Sequence, residues 1–210
     1  LVQTSRGGSY LVEWNPTDPA PSGGLYRNML DCVQAVGGQV KGLVWYQGEA
    51  EGSERTGATY LPRFERAVAA WRAALGRPDL PVLTAQLNRY FIAPDPDHER
   101  SWSQVREAQR QAARTIPNVA VVPTLDLPLS DFIHNSPAGN MLLGERLARA
   151  ALGAVYGRPV DYQAPDLQSA VAAPDGRQID LTFAPVTSRM DNIDPTANPF
   201  DDGAATEPFH

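Results

Sequence analysis

Asp131 and His134 stand three residues apart in the segment Asp131-Phe132-Ile133-His134, and that spacing suits proton transfer. An imidazole takes a proton from a serine hydroxyl near neutral pH, and a carboxylate beside it holds the ring in the required tautomer. Two other stretches offer groups for the same reaction. Gln47-Gly48-Glu49 ends an apolar run with a side-chain amide and a second carboxylate. Gly7-Gly8, within Ser5-Arg6-Gly7-Gly8-Ser9, makes a small turn whose backbone N–H groups can face an anion. The Gly8 N–H and the Gln47 amide would then donate to the oxyanion that develops in acyl transfer. Taken singly, each stretch has a plainer explanation: a histidine capping a helix, a strand running into a turn, a glycine pair serving backbone geometry.

These groups can meet only if the chain brings several strand ends to one edge. Apolar runs read as strands at Leu1 to Thr4, Val40 to Tyr46, Leu80 to Leu87 and Val119 to Val122. Apolar residues at helical spacing predict helices over Leu25 to Val36, Tyr60 to Leu75, Ser101 to Ile116 and Pro137 to Val155. Ser101 is the expected N-cap of the third. In the second, Tyr60, Phe64, Val68, Trp71 and Leu75 make one stripe, which reads as core. This alternation predicts a parallel sheet with helices on both faces, and such sheets bind ligands beyond the C-terminal ends of their strands. Asn15 to Gly24, Gly48 to Gly57 and Ala93 to His98 read as loops. The first domain is expected to span 1–157. In 158–210, a linker as far as Pro165 leads to strands at Gln168 to Val171 and Gln178 to Phe183, turned by Asp175-Gly176. Asn192 to Pro208 has no regular pattern, and no internal repeat is visible.

The 210 residues are 42% hydrophobic and 20% charged, enough for a full core. A net charge of −6, with Lys41 the one lysine and the arginines dispersed, leaves no basic stripe for nucleic acid. No apolar run approaches the ~20 residues of a membrane helix. Cys32 is the one cysteine, so no internal disulfide or cysteine-based zinc cluster forms; it reads as a buried thiol. No Asp, Glu or His grouping has metal-ligand spacing. His98 and His210 fall in loop and tail sequence and read as solvated. Arg106, Glu107 and Arg110 read as a solvated helix face, and Gln86 as a satisfied strand end. The chain starts at Leu1 without a methionine or signal stretch, and Asp201 to His210 stops without a closing element. It reads as an internal piece of a longer protein.

Five blocks, WYQGEAEG (45–52), LPVLTAQLN (80–88), WSQVREAQR (102–110), DFIH (131–134) and GERLARAAL (144–152), occur in that order. In order and spacing they resemble the carbohydrate-esterase branch of the SGNH (GDSL-type) hydrolases, in particular its sialate O-acetylesterase and acetyl-xylan esterase group. The resemblance runs from about Leu1 to Gly157. The tail from Pro159 is similar to the β-rich region that often follows in sialate O-acetylesterase-like proteins. It implies a three-layer, flavodoxin-like α/β fold whose parallel sheet lacks its first strand, with a partial C-terminal β region. It also implies hydrolysis of acetyl esters on sugars by a serine/histidine mechanism without a cofactor, in a secreted or periplasmic setting. The partner implied is an acetylated carbohydrate, with neither nucleic acid nor membrane.

Carried over by position, the family's glycine block falls on Gly8, with Gly7 as the alternative. Its next block falls on Gln47 and its D-x-x-H block on Asp131 and His134. Glu49 of the Q-G-E triplet competes with Asp131 as the carboxylate that orients His134. The family's first block, a G-x-S turn bearing the nucleophile, has no counterpart here. The serine is therefore expected upstream of Leu1, and the fragment is expected to be inactive alone. Arg6 could bind a carboxylate such as Glu49 or remain solvated. The rival expectations are a non-catalytic carbohydrate-binding or structural remnant, and a related lipase or thioesterase, against which the Q-G-E triplet argues.

Overall fold

The computed structural model describes residues 1–16, 24–91 and 95–184. The chain divides into two compact units, Leu1–Ala164 and Pro165–His210. Parallel strands cannot be joined by a tight turn, so each must be followed by a crossover. In the first unit β1 (Leu43–Trp45), β2 (Val82–Ala85) and β3 (Val119–Val122) form a parallel sheet in that order. Helix α3 (Tyr60–Ala74) crosses from β1 to β2, and α4 (Pro96–Thr115) from β2 to β3. Helix α1 (Gly24–Ala35) precedes β1, a short α2 (Glu49–Ser53) follows it, and α5 (Pro137–Ala150) follows β3.

The register decides the layers. Leu43, Val82 and Val119 are partners across the sheet and point to one face; Val44, Leu83 and Ala120 point to the other. On the first face Trp45 packs among Tyr60, Phe64 and Trp71 of α3, Met29 of α1 and Val105 of α4. The expected aromatic stripe of α3 is thus core, with Trp45 and Trp71 ring centroids 4.8 Å apart. On the second face Leu83, Ala85 and Val122 pack against Leu143 and Ala150 of α5. The result is the three-layer α/β arrangement that the sequence implies. Strand β1 is the sheet edge, and Val44 on it is 54% exposed. A groove of about 480 Å³ runs along this edge, lined by Leu1, Val2, Met29, Val33, Val44 and Val155 among others.

Several expectations are corrected. Leu1 to Thr4 is not a strand: it lines the edge groove, but no ladder hydrogen bonds tie it to β1. The expected loop Gly48 to Gly57 contains α2, which is seated on α4. A Cβ on Gly52 would lie 2.6 Å from the Trp102 ring, and one on Gly57 2.2 Å from the Ser101 carbonyl oxygen, so glycine permits the seating. Helix α4 starts earlier than expected because Asp95 caps it, accepting from the Asp97 and His98 N–H groups, with Pro96 at its first position. Ser101 is therefore a buried mid-helix residue rather than an N-cap; its hydroxyl accepts from Gly57 N–H at 3.0 Å and donates to the Glu51 carbonyl at 3.1 Å. His98 is not solvated but stacks on Tyr90 at 4.2 Å. Arg106 is partly buried, although Glu107 and Arg110 pair on the helix surface as expected. Cys32 is partly rather than fully buried. The loop residues 17–23 and 92–94, the tail from 185 onward and His210 lie outside the described residues.

The first unit continues past 157 to Ala164, where the Tyr162 ring covers Gly153 of the turn after α5. In the second unit β4 (Leu167–Ala172) and β5 (Ile179–Phe183) pair antiparallel as the expected hairpin, turned at Gly176 with φ +68.

Gly48, between β1 and α2, combines two constraints: a φ of +146, and a position where a Cβ would lie 2.7 Å from Val105 Cγ1. Gly48→Ala should lower the unfolding free energy by about 2–5 kcal/mol in urea titration. Gly76→Ala, at φ +62 with nothing within 4 Å, should cost only about 1 kcal/mol.

Candidate active site

Three chain segments beyond the ends of strands or of the edge-groove segment face one cavity of about 480 Å³. Its lining includes Arg6, Gly7 and Gly8 from the first turn, Gln47 and Glu49 from the end of β1, and His134 from the loop before α5. Asp131 is not in the lining but reaches the site through His134.

The first turn is fixed through Ser9. Its hydroxyl donates to the Arg6 carbonyl at 2.9 Å and accepts from Trp14 Nε1 at 3.0 Å. Gly8 adopts φ +69, a conformation natural to glycine, with open space where a Cβ would be. The N–H groups of Gly7 and Gly8 make no hydrogen bond among the described residues. Two backbone donors therefore stand unused at the cavity wall. Arg6 has no ion-pair partner among the described residues and does not pair with Glu49.

The end of β1 is held by a buried polar network. The Gln47 carbonyl accepts from Tyr60 Oη at 3.0 Å and from Gln109 Nε2 at 2.9 Å. The Gln47 amide donates to the Ser9 carbonyl at 3.1 Å and to the Glu51 carboxylate. Glu51, which sequence reasoning passed over, is 1% exposed; it also accepts from Leu11 N–H at 2.8 Å and faces Arg63 at 3.9 Å. Its position four residues after Gln47 was the available signal. Glu49 is partly buried, and desolvation pushes its carboxyl up while the nearby His134 pulls the other way. Burial, and then the Glu49 charge, push the Tyr46 phenol up to about 12.

The third segment is a small hairpin. Leu129 bridges Asn135, Ser130 N–H donates to the His134 carbonyl at 2.9 Å, and Ser136 N–H to the Pro128 carbonyl at 2.9 Å. Within it Asp131 Oδ1 accepts from the N–H groups of Ile133 and His134, at 2.8 and 2.7 Å. Asp131 Oδ2 lies 2.8 Å from His134 Nδ1. With Asp131 ionised, Nδ1 carries the proton and Nε2 is left as an acceptor. Nε2 has no partner among the described residues, and the His134 side chain is 75% exposed. Of the two carboxylates weighed from sequence, Asp131 is bonded to His134; Glu49 shares the cavity but makes no hydrogen bond to the ring. Asn135, also unnoticed in the sequence, links this hairpin to the rest: it donates to Tyr46 Oη at 3.2 Å and accepts from Asn88 Nδ2 at 2.6 Å. Gln86 donates to the Arg106 carbonyl at 3.0 Å and stays outside the cavity. Among the described residues no group of three His, Cys, Asp or Glu could hold a metal ion, and no helix is long and apolar enough to cross a membrane.

The model of a family described as carbohydrate esterase, sialic acid-specific acetylesterase, matches residues 1–153. The chain belongs to this carbohydrate esterase family. A curated relative, a probable carbohydrate esterase from Arabidopsis thaliana, is 30% identical over 157 residues, which cover 72% of this chain and 55% of the relative. Among solved structures, a carbohydrate acetylesterase from Xanthomonas citri superposes with a TM-score of 0.64 at 30% identity, over 76% of this chain and 35% of that one. An Arabidopsis thaliana protein superposes with a TM-score of 0.57 at 28% identity, over 71% of this chain and 58% of that one. The chain thus spans about half the length of the curated relative it matches.

Glu51→Ala would leave the Leu11 N–H and one Gln47 N–H without their buried acceptor. Chemical denaturation should register a loss of about 3 kcal/mol or more. At the hairpin, the His134 and Ile133 N–H groups, with the His134 ring, hold the Asp131 carboxyl down to about 2. The folded value lies below the unfolded one. Its contribution to loop order is therefore fully present above the ordinary carboxylate range and lost as pH falls through about 2. A carboxyl ¹³C titration should give Asp131 that midpoint; an ordinary aspartate midpoint would mean the three bonds are not formed in solution.

Proposed function

We propose that the full-length protein is a carbohydrate O-acetylesterase in which His134 is the general base and the nucleophile is a serine from a segment preceding Leu1. What supports this reading is a single arrangement: unengaged Gly7 and Gly8 N–H groups line the same cavity as His134, whose Nδ1 is bonded to Asp131 and whose Nε2 is unengaged. The groove along the open edge of β1 supports the first strand expected from the sequence, because it leaves room for an added strand beside the cavity. Neither serine near the Gly7-Gly8 turn serves as nucleophile: Ser9 is committed to Arg6 and Trp14, and Ser5 lies outside this cavity.

In the first half-reaction Nε2 removes the serine Oγ proton as Oγ bonds to the acetyl carbon, and the carbonyl oxygen becomes an oxyanion. Gly8 N–H, with Gly7 beside it, receives that charge, while the Gln47 amide keeps the turn in place through the Ser9 carbonyl. Asp131 keeps the imidazole in its tautomer and balances the imidazolium, and Glu49 faces it across the cavity. As the C–O bond to the sugar breaks, Nε2–H passes its proton to the departing sugar hydroxyl. Water then attacks the acetyl-enzyme with Nε2 again as base, which releases acetate and restores the serine. Arg6, free of ion pairs, is available to a sugar oxygen at the rim. The substrate class is an acetylated carbohydrate, in keeping with the family.

In the full-length protein His134→Ala should lower kcat for p-nitrophenyl acetate by ~10³-fold or more while leaving the fold intact by circular dichroism. Near-normal turnover in that variant would remove His134 from its role as base, and no turnover in the wild type would favour a non-catalytic remnant.

A further inference from the structure

Two phenyl rings stand open beside the catalytic hairpin but outside its cavity. Phe132 is 48% exposed and Phe91 is 64% exposed, and neither is in the cavity lining, which takes Ile133 and His134 from the hairpin instead. They belong to two loops joined by a hydrogen bond from the Phe91 N–H to the Phe132 carbonyl at 2.8 Å. Each ring is supported by a partner. The Arg89 guanidinium lies over the Phe91 ring, 5.8 Å from its centroid, and is held by the carbonyls of Leu125 and Leu127 at 2.9 and 3.1 Å. Phe132 meets Tyr90 at an interplanar angle of 89°, with centroids 6.5 Å apart. Tyr90 is itself stacked on His98 at 4.2 Å and tilted against Trp102 at 4.9 Å. The exposed rings are therefore pre-organised from behind, so little order remains to be imposed on them by a ligand.

We infer that Phe132 and Phe91 form a stacking platform for a second sugar ring, next to the one whose acetyl group enters the cavity, so that the preferred substrate is a saccharide chain. This rests on the acetylesterase reading above. Phe132 lies two residues before the proposed base on the same hairpin, so that ring of the platform and the base are carried by one short loop. A pyranose with equatorial hydroxyls presents flat faces of C–H groups, which carry partial positive charge, and a phenyl face is the negative part of its quadrupole. Such a ring lies on phenylalanine without leaving a hydroxyl unpaired, because its hydroxyls point sideways into water. An axial hydroxyl on the contacting face would be stripped of solvent with no acceptor to meet. The occupant is thus an equatorially substituted, xylose- or glucose-like unit of a chain.

The test uses full-length protein with three acetyl esters: acetylated xylotetraose, monoacetylated methyl xyloside and p-nitrophenyl acetate. Wild type should show kcat/KM at least ~10-fold higher for the tetraose than for the xyloside, and Phe132→Ala and Phe91→Ala should each remove most of that advantage through KM. Both variants should keep xyloside and p-nitrophenyl acetate turnover within about twofold, and Phe132→Tyr should retain the preference. Equal wild-type rates on tetraose and xyloside overturn the platform, as do alanine variants that keep the preference. A fall on all three esters alike also overturns it, since a disordered hairpin and not lost stacking would be the cause. If wild type cleaves none of the three, the esterase reading fails by itself. Titration of wild type with unacetylated xylotetraose then decides the platform: NMR shifts in the Phe91 and Phe132 ring signals support it, and unmoved signals overturn it.

Discussion

Glu51 is almost wholly withdrawn from water, and a carboxylate so placed is costly to bury unless donors meet it on several sides. The donors come from separate parts of the chain: Leu11 N–H from the turn after the first segment, the Gln47 amide from the end of β1, and Arg63 from α3. Gln47 extends the brace to the Ser9 carbonyl, and Tyr60 and Gln109 clamp its own carbonyl from α3 and α4. One buried charge thus cross-links the first turn, the edge strand and two helices. The position of the Gly7-Gly8 turn relative to β1 follows from this network, because no strand pairing holds that segment in place.

The hairpin across the cavity is built on the opposite principle. Asp131 and His134 are largely exposed, and water competes for both groups, so the side-chain contact between them adds little to stability. The hairpin is shaped instead by backbone hydrogen bonds that Asp131 accepts locally and by the Asn135 link to Tyr46 and Asn88. This division suits acyl transfer. In the proposed reaction the groups that receive charge without moving sit on the braced side, and the proposed base, which exchanges protons with substrate and water, sits on the open side.

What the sequence revealed follows the range of the interactions involved. The Asp131–His134 pairing was legible because it is a local bond, formed within four residues by side chain and backbone together. The α3 stripe was legible because its period is a property of the helix alone. Leu1 to Thr4 misled because strand composition says nothing about whether a partner is present to pair with it. Helix α2 was missed since Glu49 to Ser53 is short and contains a glycine, and Trp102 and Ser101 of α4, some fifty positions away, hold it. The Ser101 misreading has the same root: a hydroxyl that looks like a helix cap in sequence satisfies the neighbouring segment instead. Glu51 escaped notice because three glutamates crowd Glu49 to Glu54, and only its spacing of four from Gln47 marks the inward one.

Gln47 carries the argument furthest. Its two amide hydrogens are both engaged, with Ser9 and Glu51, whereas the Gly7 and Gly8 N–H groups are unengaged. An oxyanion is stabilised most by dipoles that need no rearrangement when charge appears. On that ground the backbone pair is the better receptor in the proposed reaction. The amide's larger effect is on orientation: by holding the Ser9 carbonyl it fixes the Ser9–Tyr10 peptide unit that anchors the C-terminal end of the Gly7-Gly8 turn, where Gly8 sits at φ +69. A buried glutamate, a glutamine and a serine carbonyl then form a relay in which the charged residue never touches the reacting atoms, yet sets where the uncharged donors stand.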